Sequence, residues 1–306
     1  MDVHFEERFA RAALGWLCEP GEQRLRYLLA RHSPVEVLDL LRRDGVPYTA
    51  RTEIRHLPAR RRWDEALLAL EDAERAGGRI LIPADPAWPG GLRDLGDGEP
   101  VCLWARGPIA QFQLHASVTV VGARACTGYG TAVTARLADG LAEQYHTVVS
   151  SAASGIDGTA LRATLTGGGA AVAVLPCGLD QRYPAPNRPL LDRLAGEGLL
   201  LSAWPPGARP GPRRNDANRV LLAALTAGTV VIEALIRSHA LRVVGHAVAL
   251  GRAGMAVPGP VTAVTSAGCH RLLRTDPRVR LVTSAEQVVA ELRDTADGGE
   301  GRACNT

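Results

Sequence analysis

The chain has 306 residues, is 46% apolar and carries a formal net charge of +3, which supports one main domain plus a smaller one and excludes wholesale disorder. All 35 basic side chains are arginine, which excludes a Walker-type phosphate lysine, a Schiff-base lysine and a Ser-Lys dyad. Bulk charge does not announce a polyanion partner, so any nucleic-acid surface has to be a local basic patch.

Residues 1–78 read as a small helical domain. Apolar residues recur at helical spacing in Leu25, Leu28 and Leu29, in Val35, Val37, Leu38, Leu40 and Leu41, and in Trp63, Leu67, Leu68 and Leu70. Turn signals at Pro20-Gly21, Ser33-Pro34 and Gly45 divide them. Gly77 to Pro83 reads as a boundary with a short strand, and Pro83 to Pro100 as a long surface connection.

Beyond it the pattern changes. Short β-branched runs at Val118–Val121, Thr147–Ser150, Ala171–Leu175, Thr229–Ile232 and Gly254–Val257 alternate with helical patterns or Gly/Pro loops. This predicts, over 79–293, an α/β fold: a Rossmann-like, doubly wound, mostly parallel sheet preceded by the helical domain. A last strand at Val279–Val282 and a helix over Ala285–Leu292 precede a small polar tail, 294–306, expected to be disordered. Cys18, Cys102, Cys126, Cys177, Cys269 and Cys304 show no C-x-x-C pair and no zinc spacing. Without a leader pattern or an apolar run of about 18–20 residues, the expectation is a cytoplasmic protein with no membrane segment and reduced thiols.

The chemistry-bearing stretches lie at strand ends. Val121-Gly122-Ala123-Arg124 followed by Thr127-Gly128-Tyr129-Gly130 opens a helix. Glycine there lets backbone approach a phosphate, and Arg124 can add a bidentate contact, although the same turn can merely close a strand onto a helix. The spacing departs from G-x-G-x-x-G and no acidic residue follows the second strand to hold a ribose, which disfavours a dinucleotide dehydrogenase. Ser150 to Asp157 is a second turn, in which Ser150, Ser154 and Gly155 form an anion-accepting nest, with Asp157 read as a helix N-cap. Cys177 lacks a partner for nucleophilic work. A Pro-rich connection carrying Arg209, Arg213, Arg214, Asn218 and Arg219 leads into the helical Val220–Leu225, as a phosphate backbone or a solvated loop would equally allow. Glu233 at a strand end can orient an arginine or accept from a hydroxyl, Arg237-Ser238 follows it, and His239 and His246 show no ligand set.

Taken in order, VGAR, SSAASGID, AVAVLPCGLDQRYPAPN, GLLLSAWPPG, NRVLLAALTAGTVVIEALIRS, the GR and VPGP pair and SAGCHRLLR resemble the DprA/Smf family from about Ile80 to Arg274. The resemblance implies a protein without catalysis or cofactor that binds single-stranded DNA, protects incoming strands, helps load the RecA recombinase in natural transformation, and acts as a homodimer. It further implies that Gly122 and Arg124 hold phosphate, that Gly155 and Asp157 shape the second turn, that Asn218-Arg219 supply a basic helix entry, and that Arg237 and Ser238 belong to the site. The chain departs from the family pattern. Ser151 stands for Gly, Ser154 for a basic residue, Leu161 for His and Ala217 for the first Arg of the RNR element, while Arg237-Ser238-His239-Ala240-Leu241-Arg242-Val243-Val244 replaces RSGSLxTA. Two other readings stay open: a nucleotide sensor or nucleotide-processing enzyme on a related fold, and a regulatory paralogue with weakened DNA binding.

Overall fold

A computed structural model describes residues 4–42, 78–108 and 114–303. Three helices come first, α1 (Phe5–Leu17), α2 (Gln23–Leu29) and α3 (Pro34–Arg42). Ala10, Ala13, Leu14, Leu25, Leu28, Val37, Leu38 and Leu41 form their common core. The repeat expected at Trp63, Leu67, Leu68 and Leu70 lies outside the described residues.

A nine-stranded sheet follows: β1 (Gly78–Leu81), β2 (Leu103–Arg106), β3 (Ser117–Val121), β4 (Thr147–Ser150), β5 (Ala171–Leu175), β6 (Leu199–Ser202), β7 (Gly228–Val231), β8 (Ala253–Ala256) and β9 (Val279–Leu281). Their order is β1-β2-β6-β5-β4-β3-β7-β8-β9. The β6 to β9 block is parallel throughout, and only β1-β2 and β2-β6 pair antiparallel. Every residue of β3 and β5 is buried, as expected for strands covered on both faces, and this is why they read as unbroken Val/Ala runs.

The helices divide between the two faces. On one lie α4 (Gly128–Glu143), α5 (Ile156–Thr166) and α6 (Arg188–Glu197), with α10 (Ala285–Ala303) packed on α4; on the other lie α7 (Pro212–Leu225), α8 (Ala240–Ala249) and α9 (Ala267–Thr275). The first face joins Leu137, Leu141, Ile156 and Ala160 to Val118, Val120 and Val230. The second joins Leu221, Leu225, Val243 and Val244 to Val121 and Val231. Thr119, buried in β3, spends its hydroxyl on Leu222 O of α7 at 2.9 Å.

The helical cluster docks on the antiparallel edge. Arg8 donates to Ile80 O (2.7 Å) and Asp85 Oδ1 (2.8 Å), and Ala12 packs with Ile80, Ile82, Cys102 and Trp104.

Four elements differ from expectation. β2 and β6 are strands although Leu103-Trp104 and Leu199-Leu200-Leu201 contain no β-branched residue; burial, not propensity, decides them. The Arg-rich connection before Val220 is already helix, because Pro212 at its first turn fixes φ and needs no hydrogen-bond acceptor for its nitrogen. The last helix continues to Ala303 where a disordered tail was expected from residue 294; Gly298, Gly299 and Gly301 are poor helix formers, so propensity does not explain the extension.

Candidate functional site

A cleft of about 580 Å³ opens at the carboxyl ends of β3, β4 and β7. From β3 the chain winds to β4 on one side, while β7 pairs on the other, so the cleft lies at the sheet's topological switch point, where ligands of open α/β sheets bind. Its wall takes Gly122–Ala125 from the first turn, Ser151 and Ala153 from the second, Asp157 from α5, Asn215, Asn218 and Arg219 from α7, and Leu235 and Arg237–Ala240 from the β7–α8 connection.

The first two turns are interlocked. Gly122 N donates to Asp157 Oδ1 at 3.0 Å, and the Ser151 hydroxyl donates to Asp157 Oδ2. Ile156 N donates to Ala123 O at 3.1 Å. A Cβ on Gly122 would meet Ile156 Cγ1 at 2.6 Å, so no larger residue fits that turn. Gly155 has φ of 80° and lies so close to Ala123 O that a Cβ would approach it to 2.2 Å. Asp157 is therefore not an N-cap: Gly155 holds that position, and Asp157 is a buried tie in the first turn of α5. Burial pushes its carboxyl up to about 6, against the opposing pull of hydrogen bonds from Ser151 and Gly122.

Of the residues expected to bind phosphate, Gly122, Arg124, Asp157, Asn218, Arg219, Arg237 and Ser238 meet in the cleft wall. Arg124 and Arg237 are exposed and hold no ion pair with the described residues. Arg219 is half-buried and bonded to Asp216, which also stands 3.4 Å from Arg242 Nη1. Ser238 Oγ accepts from Ala240 N at 3.3 Å beside the start of α8.

Others are placed elsewhere. Ser150 is buried and donates to Val120 O at 2.6 Å, so it pins two strands. Ser154 and Gly155 do not reach the wall; Gly155 acts through backbone packing. Arg213 is exposed on the first turn of α7, outside the cleft. Arg214 turns away to Glu19 Oε1 (3.0 Å) and Arg209 O (2.7 Å), and Glu19 also accepts from the Trp204 indole at 2.8 Å. Asn218 lines the wall but donates Nδ2 to Val174 O at 2.8 Å, fastening α7 to β5.

Glu233 is buried and takes the second of its two expected roles. It accepts from Thr127 N (2.9 Å), Thr127 Oγ1 (2.6 Å) and Thr265 Oγ1 (3.1 Å). Cys177 is pushed up to about 12, by burial first and then by the Asp180 charge, and stays a thiol. His239, without a ligand set in the sequence, stands in the wall between Ser238 and Ala240. The signal for it was present: an imidazole in place of glycine at a helix entry among arginines. Among the described residues no group of three His, Cys, Asp or Glu could hold a metal ion, and no helix is long and apolar enough to cross a membrane.

Residues 79–293 match the family model for DNA recombination-mediator protein A. The chain belongs to the DprA/Smf family. It is 43% identical over 291 residues to a DNA processing protein DprA of Mycobacterium tuberculosis, covering 92% of this chain and 74% of the relative. With the DprA of Streptococcus pneumoniae it shares 35% identity over 228 residues, 74% of this chain and 78% of the relative. The solved structure of the pneumococcal DprA superposes with a TM-score of 0.72 at 28% identity, covering 95% of this chain and 99% of that one. The Helicobacter pylori DprA, described for its single-stranded DNA binding mode, shares the fold at a TM-score of 0.63 and 23% identity, covering 71% of this chain and 96% of that one.

The departures from the DprA pattern fall in two places. Leu161, where the pattern has His, is fully buried beside Ala173 and Leu190, and Ala217 packs against the second-face core. Ser151 and His239, by contrast, stand in the cleft wall.

Proposed function

We propose that this DprA-family chain binds single-stranded DNA through the switch-point cleft and its rim, protects incoming strands, and assists RecA loading as a homodimer in natural transformation. The observation that carries this reading is the convergence of Arg124, Arg219 and Arg237 around the Gly122 turn, at the entry of α8. Arginine forks match phosphate oxygens in a sequence-tolerant way.

The way the acids are used supports binding without turnover. Asp157 is committed to Gly122 and Ser151, and Glu233 to Thr127 and Thr265, so neither is free to activate a nucleophile. Arg242 on α8, 3.4 Å from Asp216, is the cation placed to offset part of the charge lost at Ser154.

Titration of a fluorescent oligo-dT at two salt concentrations tests the reading. Tight binding that weakens steeply with salt is expected; no complex at low salt would overturn it. Sedimentation of the chain alone, and assembly of RecA on strands precoated with a single-strand binding protein, test the dimer and the loading role.

A nucleotide-sized ligand is the second reading, because about 580 Å³ is the volume of an ordinary small-molecule site. Thermal stabilisation by mono- or dinucleotides, without an oligonucleotide effect, would favour it.

A further inference from the structure

His239 is the titratable group of the cleft that neither the family pattern nor the phosphate reading accounts for. It stands at the N-cap of α8 and accepts no capping hydrogen bond with its ring; Ser238 serves Ala240 N instead. Its side chain is exposed, in the same wall as Arg124, Arg219 and Arg237.

The groups that face it are mostly cations. Arg219 on α7 acts most strongly, then Arg242 on its own helix, then Arg124 from the first turn, with Asp216 of α7 the opposing charge. Arg237 lies two residues away in the same connection, and Asp157 lines the far wall on α5. The N-terminal end of α8 adds a further positive potential. Arg219 first, then burial and Arg242, hold the imidazole below its usual value, so the ring is neutral near neutral pH in the free protein.

A phosphate reverses this balance. It neutralises the arginine field and sets an anion beside the ring, and both effects favour imidazolium. We infer that His239 is a proton-dependent phosphate contact: neutral in the empty cleft, it takes up a proton as the DNA backbone enters and then donates a charge-assisted hydrogen bond to it. The inference rests on the single-stranded DNA reading above. It gives this chain a replacement for part of the charge lost at Ser154, one supplied only when the ligand is present.

The direction of the linkage follows from which state holds the proton more tightly. The complex does, so the affinity gained through His239 is complete below the titration point of the free ring and is lost as pH rises through that of the bound ring. Between those points binding tightens by up to about tenfold per pH unit, the limit for one coupled proton.

The direct test is an NMR titration of the ring C–H signals of the full chain, with and without saturating oligo-dT. The His239 midpoint should move upward on binding; an unmoved midpoint overturns the inference. Anisotropy titrations from about pH 5 to pH 8 supply the second readout. His239→Gln should lose most of the pH dependence and bind at acid pH with the weaker affinity of the parent at alkaline pH. Asp157→Asn should keep the His239 share, which separates it from proton uptake at Asp157. Full pH dependence in His239→Gln refutes the inference while leaving DNA binding intact. Absence of any complex at low salt removes the DNA reading itself, and the inference with it.

Discussion

Asp157 is held buried as an ionised tie, and replacing it with asparagine measures what that charge costs. Its carboxyl is raised from 3.8 to about 6 by burial. A folded state that binds the proton more tightly than the unfolded chain is relatively most stable below the unfolded value. It loses that advantage as pH rises from about 4 through about 6. The shift of roughly two units corresponds to about 3 kcal/mol, order of magnitude, above that window. In Asp157→Asn, Oδ1 still accepts from Gly122 N and Nδ2 can donate to Ser151 Oγ, so the geometry survives without the charge. The variant should unfold about 5 °C higher than the parent near pH 8, and within about 1–2 °C of it near pH 4. Thermal melts at the two pH values, with a denaturant titration beside them, provide the measurement. A variant less stable than the parent near pH 8, or a difference that ignores pH, would refute the account of Asp157 as a desolvated anion.

Other outcomes follow from the same geometry. Gly130→Ala should destabilise by about 3 kcal/mol in denaturant titration, because its Cβ would fall 2.2 Å from Glu233 Oε2, and that carboxylate is buried and tied to Thr127 and Thr265. Arg124→Ala and Arg237→Ala, which carry no ion pair with the described residues, should each weaken oligo-dT binding and lower the salt slope by about 1, whereas Arg214→Ala should leave the slope unchanged, since Arg214 lies outside the cleft wall and is turned to Glu19. Glu19→Ala strips the buried Trp204 indole of its acceptor at a cost of about 1–3 kcal/mol, and should speed proteolysis between α1 and α2.

The parallel core was legible because its strands are buried on both faces and write themselves as Val/Ala runs. β6 was not, since leucines read as helix or strand until their neighbours are known. The turns were found as glycine patterns, but their mutual tie was invisible: Gly122 and Asp157 are 35 residues apart, and nothing local marks Asp157 as an acceptor for Gly122 N rather than a cap. The fate of Arg214 was hidden for the same reason, because its partner Glu19 is 195 residues away, on the helical cluster. Asn218 carried the family's site pattern, yet half of its amide holds two elements together. Sequence order brings candidate residues to one edge of a sheet; which of them face the cleft depends on long-range packing.

That edge also explains how the family pattern can change here at so many places. Ser151 and His239 belong to the connections that line the cleft, whereas Leu161 sits inside the core. The rim is thus an exchangeable part on a fixed rack. On the single-stranded DNA reading proposed above, single substitutions in the connections would change how firmly a strand is held, and how that depends on acidity, without a new solution for the interior.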